Sequence, residues 1–94
     1  MTYRLVFKVS AKKEWDQLDA TIRTQFKKKL EERIETPRVE SSRLNGMQDC
    51  YKIKLRSAGY RLVYQVRDAD LIVSVVAVGK RERNAVYKAA VRRI

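Results

Sequence analysis

Three cations alternate along the stretch Asp49-Cys50-Tyr51-Lys52-Ile53-Lys54-Leu55-Arg56. If the stretch is a β-strand, Lys52, Lys54 and Arg56 project from one face about 7 Å apart, and Tyr51, Ile53 and Leu55 project from the other. A lysine crowded by other cations has its ammonium form disfavoured, so its pKa falls and it becomes a plausible general base. Arg61 follows across a short reversal at Ser57-Ala58-Gly59, and Lys80-Arg81-Glu82-Arg83 adds charge ahead of Tyr87. Arginine stays charged and offers fixed donors to phosphate; a tyrosine ring can stack on a base. Such a set can cleave RNA through its 2′-OH. The lysine helps the hydroxyl lose its proton, the cations stabilise the phosphorane, and substrate alignment lowers the barrier further. The weak element is the general acid, because arginine gives up a proton poorly. The ordinary alternative is a solvated charge row in which lysines guard a sheet edge.

The rest of the composition narrows the chemistry. The chain has 94 residues with 22 Lys+Arg against 11 Asp+Glu, a net charge of +11. A field of that size selects a polyanionic partner: RNA, DNA, an anionic membrane or an acidic protein. Histidine is absent and Cys50 is the one cysteine. That excludes Ser-His-Asp and Cys-His nucleophilic sites, the two-histidine ribonuclease arrangement and an intrachain disulfide. No metal site and no cofactor are expected. Gly46, Gly59 and Gly79 stand too far apart for a phosphate loop. The first residues lack a signal-peptide layout, and the longest apolar stretch, Leu71 to Val78 with Ser74 inside it, is too short to span a bilayer. The expectation is one domain, residues 1–94, with one modest core, in the cytoplasm.

The elements that must position the cations follow from periodicity. Tyr3 to Val9 alternates as a strand. Ser10 can cap a short helix carrying Trp15 and Leu18, and Asp19 a second one. In that second helix Ile22, Phe26, Leu30 and Ile34 form an apolar stripe, while Arg23, Lys27, Lys28, Lys29 and Arg33 occupy the other faces. Pro37 ends it, and 38–48 is a loop with an Asn45-Gly46 turn. A meander follows: Asp49 to Leu55, Tyr60 to Arg67, and Leu71 to Val78, the last nearly all apolar and ended by Gly79. Trp15, Tyr51, Tyr60 and Tyr64 fall in the apolar phase and should be core. A final helix spans about Arg83 to Arg93, with Tyr87, Val91 and Ile94 on one stripe. The architecture is α+β: a mainly antiparallel four-stranded sheet with two N-terminal helices and one C-terminal helix, the helices on one face. If the fourth strand lies beside the second or third, the cations converge.

Asp49 to Val66, with Val78-Gly79-Lys80-Arg81-Glu82-Arg83, Val86-Tyr87, Phe26-Lys27-Lys28-Lys29-Leu30 and Thr36-Pro37-Arg38, resembles the RelE toxins of bacterial type II toxin–antitoxin systems, in the RelE/ParE superfamily. The resemblance covers essentially the whole chain. It implies a ribosome-dependent endoribonuclease (an mRNA interferase) that cuts mRNA in the 30S ribosomal A site, docks on 16S rRNA, inhibits translation and is neutralised by a RelB-like antitoxin. It implies 2′-OH attack leaving a 2′,3′-cyclic phosphate and a 5′-OH, without a membrane or a metal. It carries over Lys52, Lys54, Arg61, Arg81 and Tyr87 as the functional set, all five present. The implied roles are Lys54 as base or base-orienting group, Lys52 and Arg61 on the phosphorane, Arg81 on the leaving-group side, and Tyr87 against a base. Asn45 departs from the pattern, standing where relatives carry arginine. Two other readings stay open at this point: a gyrase-poisoning or otherwise non-nucleolytic chain on the same fold, and an RNA- or ribosome-binding module without catalysis. The Lys52-x-Lys54 pair with Arg81 and Tyr87 counts against the first. If about five cations touch single-stranded phosphate, log K for RNA should fall with log salt at a slope near −3.5; a flat response in filter binding contradicts the electrostatic reading.

Overall fold

The structure is a computed structural model and describes residues 2–94. In chain order its elements are β1 (Arg4–Phe7), α1 (Val9–Asp16), α2 (Ala20–Glu35), β2 (Cys50–Leu55), β3 (Tyr60–Arg67), β4 (Ile72–Lys80) and α3 (Ala85–Arg93), with short 3₁₀ turns at Glu40–Ser42 and Asp68–Asp70. The strands form one sheet in the order β1-β4-β3-β2. β1 runs parallel to β4, whereas the β2–β3 and β3–β4 pairs are antiparallel.

Alternation along the strands divides the apolar residues between two cores. On one side, Ile22, Phe26 and Leu30 of α2, with Ala11 and Trp15 of α1, pack on Leu5, Phe7, Tyr51, Ile53, Leu62, Tyr64, Val66, Val73 and Val75. On the other, Val86 and Ala90 of α3 pack on Cys50, Val63, Val76 and Ala77. The helices therefore cover both faces, not one. The reason is visible in β3 and β4, whose apolar residues point both ways.

β4 carries a bulge. Tyr64 pairs with Val75 and Val63 with Ala77, so Val76 is an extra residue without a partner on β3. The phase of β4 inverts there: Val73, Val75 and Val78 belong to the α1/α2 core, Val76 and Ala77 to the α3 core. The bulge also limits β1. Phe7 pairs with Val75, the last residue before it. β1 therefore stops short of Val9, α1 starts at Val9 behind Lys8 as N-cap, and Ser10 lies inside the helix instead of capping it. Asp19 does occupy the N-cap of α2, without a side-chain cap bond.

Beyond Val75 the edge of β4 has no strand beside it, and two side chains satisfy it. The Val78 N–H donates to Glu14 Oε1 at 3.2 Å. Arg93 donates through Nη1 to Val76 O at 2.9 Å and to Glu14 Oε1 at 2.8 Å, and through Nη2 to Glu14 Oε2 at 3.1 Å. This fork ties the last turn of α3 to α1 across the sheet, and its bonds to Glu14 hold the Arg93 guanidinium above its ordinary pKa.

Two further expectations shift. β4 runs through Gly79 to Lys80, because Arg61 and Tyr60 of β3 pair with them. The buried side of α3 is Val86 and Ala90, while Val91 and Ile94 stay 56% and 46% exposed. Helix and strand meet at Gly79, where a Cβ would lie in ordinary contact, 3.4 Å from Val86 Cγ2. Trp15 packs between Phe7 and Phe26, and Tyr51 stacks on Tyr64, both as expected. Replacing Arg93→Met keeps the stem but strands the Val76 carbonyl. Urea unfolding should show a loss of about 1–3 kcal/mol, while Arg92→Met at the exposed neighbouring position should stay within about 0.5 kcal/mol.

Candidate active site

The sheet register brings the sequence candidates to one face. Lys54 pairs with Arg61, and Arg61 with Gly79; Lys52 pairs with Val63, and Val63 with Ala77. Directly opposed side chains have Cβ atoms about 4.5–5.5 Å apart, so Lys54 and Arg61 are immediate neighbours. The phase inversion at Val76 puts Gly79 on this same face. Gly79 contributes no side chain, which leaves room beside it for the Arg61 guanidinium and for α3.

Arg61 is only 6% exposed. Its Nη1 donates to the carbonyl of Tyr60 at 3.0 Å. Among the described residues, no carboxylate lies within ion-pair distance of Arg61, Lys52, Lys54, Arg56 or Arg81. A desolvated guanidinium without a counter-charge favours an incoming anion.

Arg81 and Tyr87 are delivered by the link between β4 and α3. The Arg81 N–H donates to Gly59 O at 2.7 Å, continuing the ladder one bond past Lys80. The chain then turns within four residues, with Ala85 N–H bonded to Glu82 O at 2.8 Å. Both central residues, Arg83 (φ 47°) and Asn84 (φ 58°), are left-handed. Asparagine accepts that conformation readily and arginine poorly, so the turn stores some strain. It starts α3 at Ala85, with Tyr87 in its first turn. A small cleft is lined by Arg61, Lys80, Arg81, Asn84, Val86 and Tyr87.

An adjoining cleft of about 310 Å³ is lined by Arg33, Ser41, Ser42, Lys52, Lys54 and Arg56. The five candidates thus share a face but occupy two clefts, joined through the Lys54–Arg61 pair. Lys54 is held below the ordinary lysine pKa, first by the charge of Lys52, then by burial and by the charges of Arg61 and Arg56. This is the direction a lysine base requires. Neither cleft lining includes a carboxylate, a thiol or an imidazole.

Other charges lie elsewhere. Lys27, Lys28 and Lys29 are exposed on α2. Asn45 belongs to a separate cleft with Arg43, Leu44 and Gly46. A larger cleft, about 560 Å³, sits at the opposite end of the strands. There Arg38 bridges Asp49 at 3.0 Å and Asp68 at 2.6 Å, and the Tyr3 hydroxyl donates to Asp68 at 2.5 Å. That cation is already paired with carboxylates. Burial pushes the Cys50 thiol up to about 11, as befits an unreactive cysteine.

In the sequence Arg33 is legible only as a cation on an outer face of α2, yet it enters the second cleft. The available signal is its place three residues after Leu30 and beside Ile34, at the border of the apolar stripe.

Residues 5–85 match the family described as the ParE toxin of the type II toxin–antitoxin system parDE. The chain is 60% identical over 94 residues to the mRNA interferase toxin RelE of Escherichia coli, covering 100% of this chain and 99% of that protein. A double arginine-to-alanine variant of E. coli RelE in the free state superimposes with a TM-score of 0.93 at 57% identity, covering 100% of this chain and 99% of that one. RelE in the intact E. coli RelBE toxin–antitoxin complex gives a TM-score of 0.83 at 59% identity, covering 86% of this chain and 99% of that one.

Carbon-13 NMR of reductively methylated lysines should find Lys54 titrating below the exposed lysines. Lys52→Gln removes the largest cause, so the Lys54 pKa should rise toward its ordinary value, while Lys29→Gln should leave it in place. Titration of Lys54 together with the other lysines would show that the crowding is not felt.

Proposed function

Since the chain belongs to the RelE/ParE family of type II toxins, we propose that it is an mRNA interferase, an endoribonuclease that cuts mRNA in the ribosomal A site and arrests translation. The observation that carries this reading is the buried Arg61, paired across the sheet with Lys54 and lacking any carboxylate among the described residues. An electrostatic face left unneutralised by the protein is suited to a phosphodiester that gains charge on the way to the phosphorane.

In the proposed reaction Lys54, with its lowered pKa, takes the proton of the 2′-OH. The 2′-oxygen attacks the adjacent phosphorus, the P–O5′ bond breaks and the departing 5′-oxygen takes a proton from water, giving a 2′,3′-cyclic phosphate and a 5′-OH. Lys52 and Arg61 stabilise the added charge on the non-bridging oxygens. Arg81, held to the β2–β3 hairpin by its bond to Gly59, supports the leaving oxygen. Tyr87 stacks on or orients a base beside it. The site lacks a strong general acid, which fits a requirement that the ribosome align the substrate. The partners are mRNA, the rRNA of the small ribosomal subunit and a RelB-like antitoxin that covers the basic surface, all in the cytoplasm. No described helix is long and apolar enough to cross a membrane.

Primer extension on translating ribosomes tests this reading. Cuts are expected within A-site codons, with Arg81→Ala lowering the cleavage rate by about 100-fold or more and leaving ribosome binding within a few-fold. Growth arrest without A-site cuts would overturn the nuclease reading, and DNA gyrase inhibition under those conditions would point to the non-nucleolytic relatives. Equal loss of binding and cleavage in Arg81→Ala would reduce the residue to docking.

A further inference from the structure

The cleft at the edge of β2 holds more positive charge than the cleavage chemistry uses. Arg33 leaves α2 on the far side of the sheet and reaches around this edge. Its Nη1 donates to the Lys52 carbonyl at 3.2 Å and to the Tyr64 hydroxyl at 2.8 Å, and its Nη2 lies 3.4 Å from Ser42 Oγ. The Tyr64 hydroxyl in turn donates to Pro37 O at 2.7 Å. The guanidinium carbon stands 5.7 Å from the centre of the Tyr64 ring. Every one of these partners is neutral. The side chain is fixed in place and its charge is left over.

The surroundings share that property. Lys52, Lys54 and Arg56 bring three more cations, and Ser41 and Ser42 bring two hydroxyls that can donate. No carboxylate lines the cleft. No aromatic side chain lines it either, so it is built to hold backbone rather than a base. Lys52 and Lys54 also belong to the face with Arg61, so a strand that leaves the scissile position across β3 toward β2 arrives here. Adjacent strands lie about 4.8 Å apart, which places the cleft within reach of a neighbouring phosphate.

We propose that this cleft is a second phosphate subsite, with Arg33 as the residue that creates it, and that it grips a backbone phosphate adjacent to the scissile one on the same RNA strand. The proposal rests on the RNA-cleaving reading above and adds to it a residue outside the five. The guanidinium fork, anchored by Tyr64 and the Lys52 carbonyl, offers its remaining donor capacity to the phosphate oxygens.

The test uses short RNAs methylated at the 2′-oxygen, which cannot be cleaved, each carrying one uncharged methylphosphonate at a different position. Affinity is read by fluorescence anisotropy. The full chain should be sensitive at the scissile phosphate and at one adjacent phosphate. Arg33→Gln should bind the unmodified RNA about tenfold more weakly, consistent with loss of one charge-assisted contact. It should lose sensitivity at the adjacent position alone, and its salt slope should fall by about 0.7. Arg33→Lys, which keeps the charge, should keep most of that slope and guards against a variant that only unfolds. Sensitivity at the scissile phosphate with none beside it in the unsubstituted protein overturns the subsite and spares the nuclease reading. An unchanged methylphosphonate profile in Arg33→Gln also overturns it. Insensitivity at every phosphate, also when the RNAs are presented in the A site of programmed ribosomes, would instead remove the RNA-cleaving reading on which the proposal rests.

Discussion

Val76 has no partner on β3, and that one unpaired residue inverts the facing of everything after it on β4. Before it, Val73 and Val75 face α1 and α2; after it, Ala77 and Gly79 face α3 and the cations. A regular strand would have turned Gly79 toward α2, and α3 would have met a different surface. The inversion also ends β1 at Phe7 and leaves the edge of β4 bare, to be satisfied by Glu14 and Arg93. Both ends of α3 are therefore set by the same irregularity: the last turn by Arg93, the first by the tight link at residues 82–85. A bulge beside a reactive face re-aims side chains where regular pairing would not.

Charge is sorted along the strands. At the Arg67 end, Arg38 is paired with two aspartates, and the Asp68 carboxyl is held below its usual range by the Tyr3 hydroxyl and then by Arg38. At the Tyr60 end the cations stand without such partners. Desolvating Arg61 and crowding Lys54 both disfavour the folded chain. The two apolar cores and the matched charges elsewhere must offset that. A phosphate, or an acidic surface of an antitoxin, relieves it on binding. The same arrangement that lowers the Lys54 pKa is thus the one that makes the face receptive to polyanions.

Much of this is legible in the chain. The i, i+4 stripe of α2 and the alternation in β2 and β3 are strong periodic signals, and they put Lys52, Lys54 and Arg61 on one face. The resemblance to RelE toxins names the five candidates, and family membership bears that resemblance out. What cannot be read depends on non-local pairing. The bulge at Val76 sits in a run of valines and alanine with no local mark. Gly79 reads as a strand terminator because nothing nearby in sequence says that a helix packs on it. Periodicity assigns the α3 stripe to its largest apolar residues, whereas the sheet buries Val86 and Ala90. Arg33 lies at the border of an apolar stripe, and only the fold shows that it reaches around the edge of β2.

Lysine and arginine, placed by the sheet register, are assigned the chemistry in a chain without histidine. Single-turnover cleavage on programmed ribosomes, followed from about pH 6 to about pH 9, bears on that assignment without an intermediate step. The rate should climb with pH as Lys54 loses its proton, with no inflection near the imidazole value of about 6.5. A bell centred near neutrality, or a rate independent of pH across that range, would contradict it.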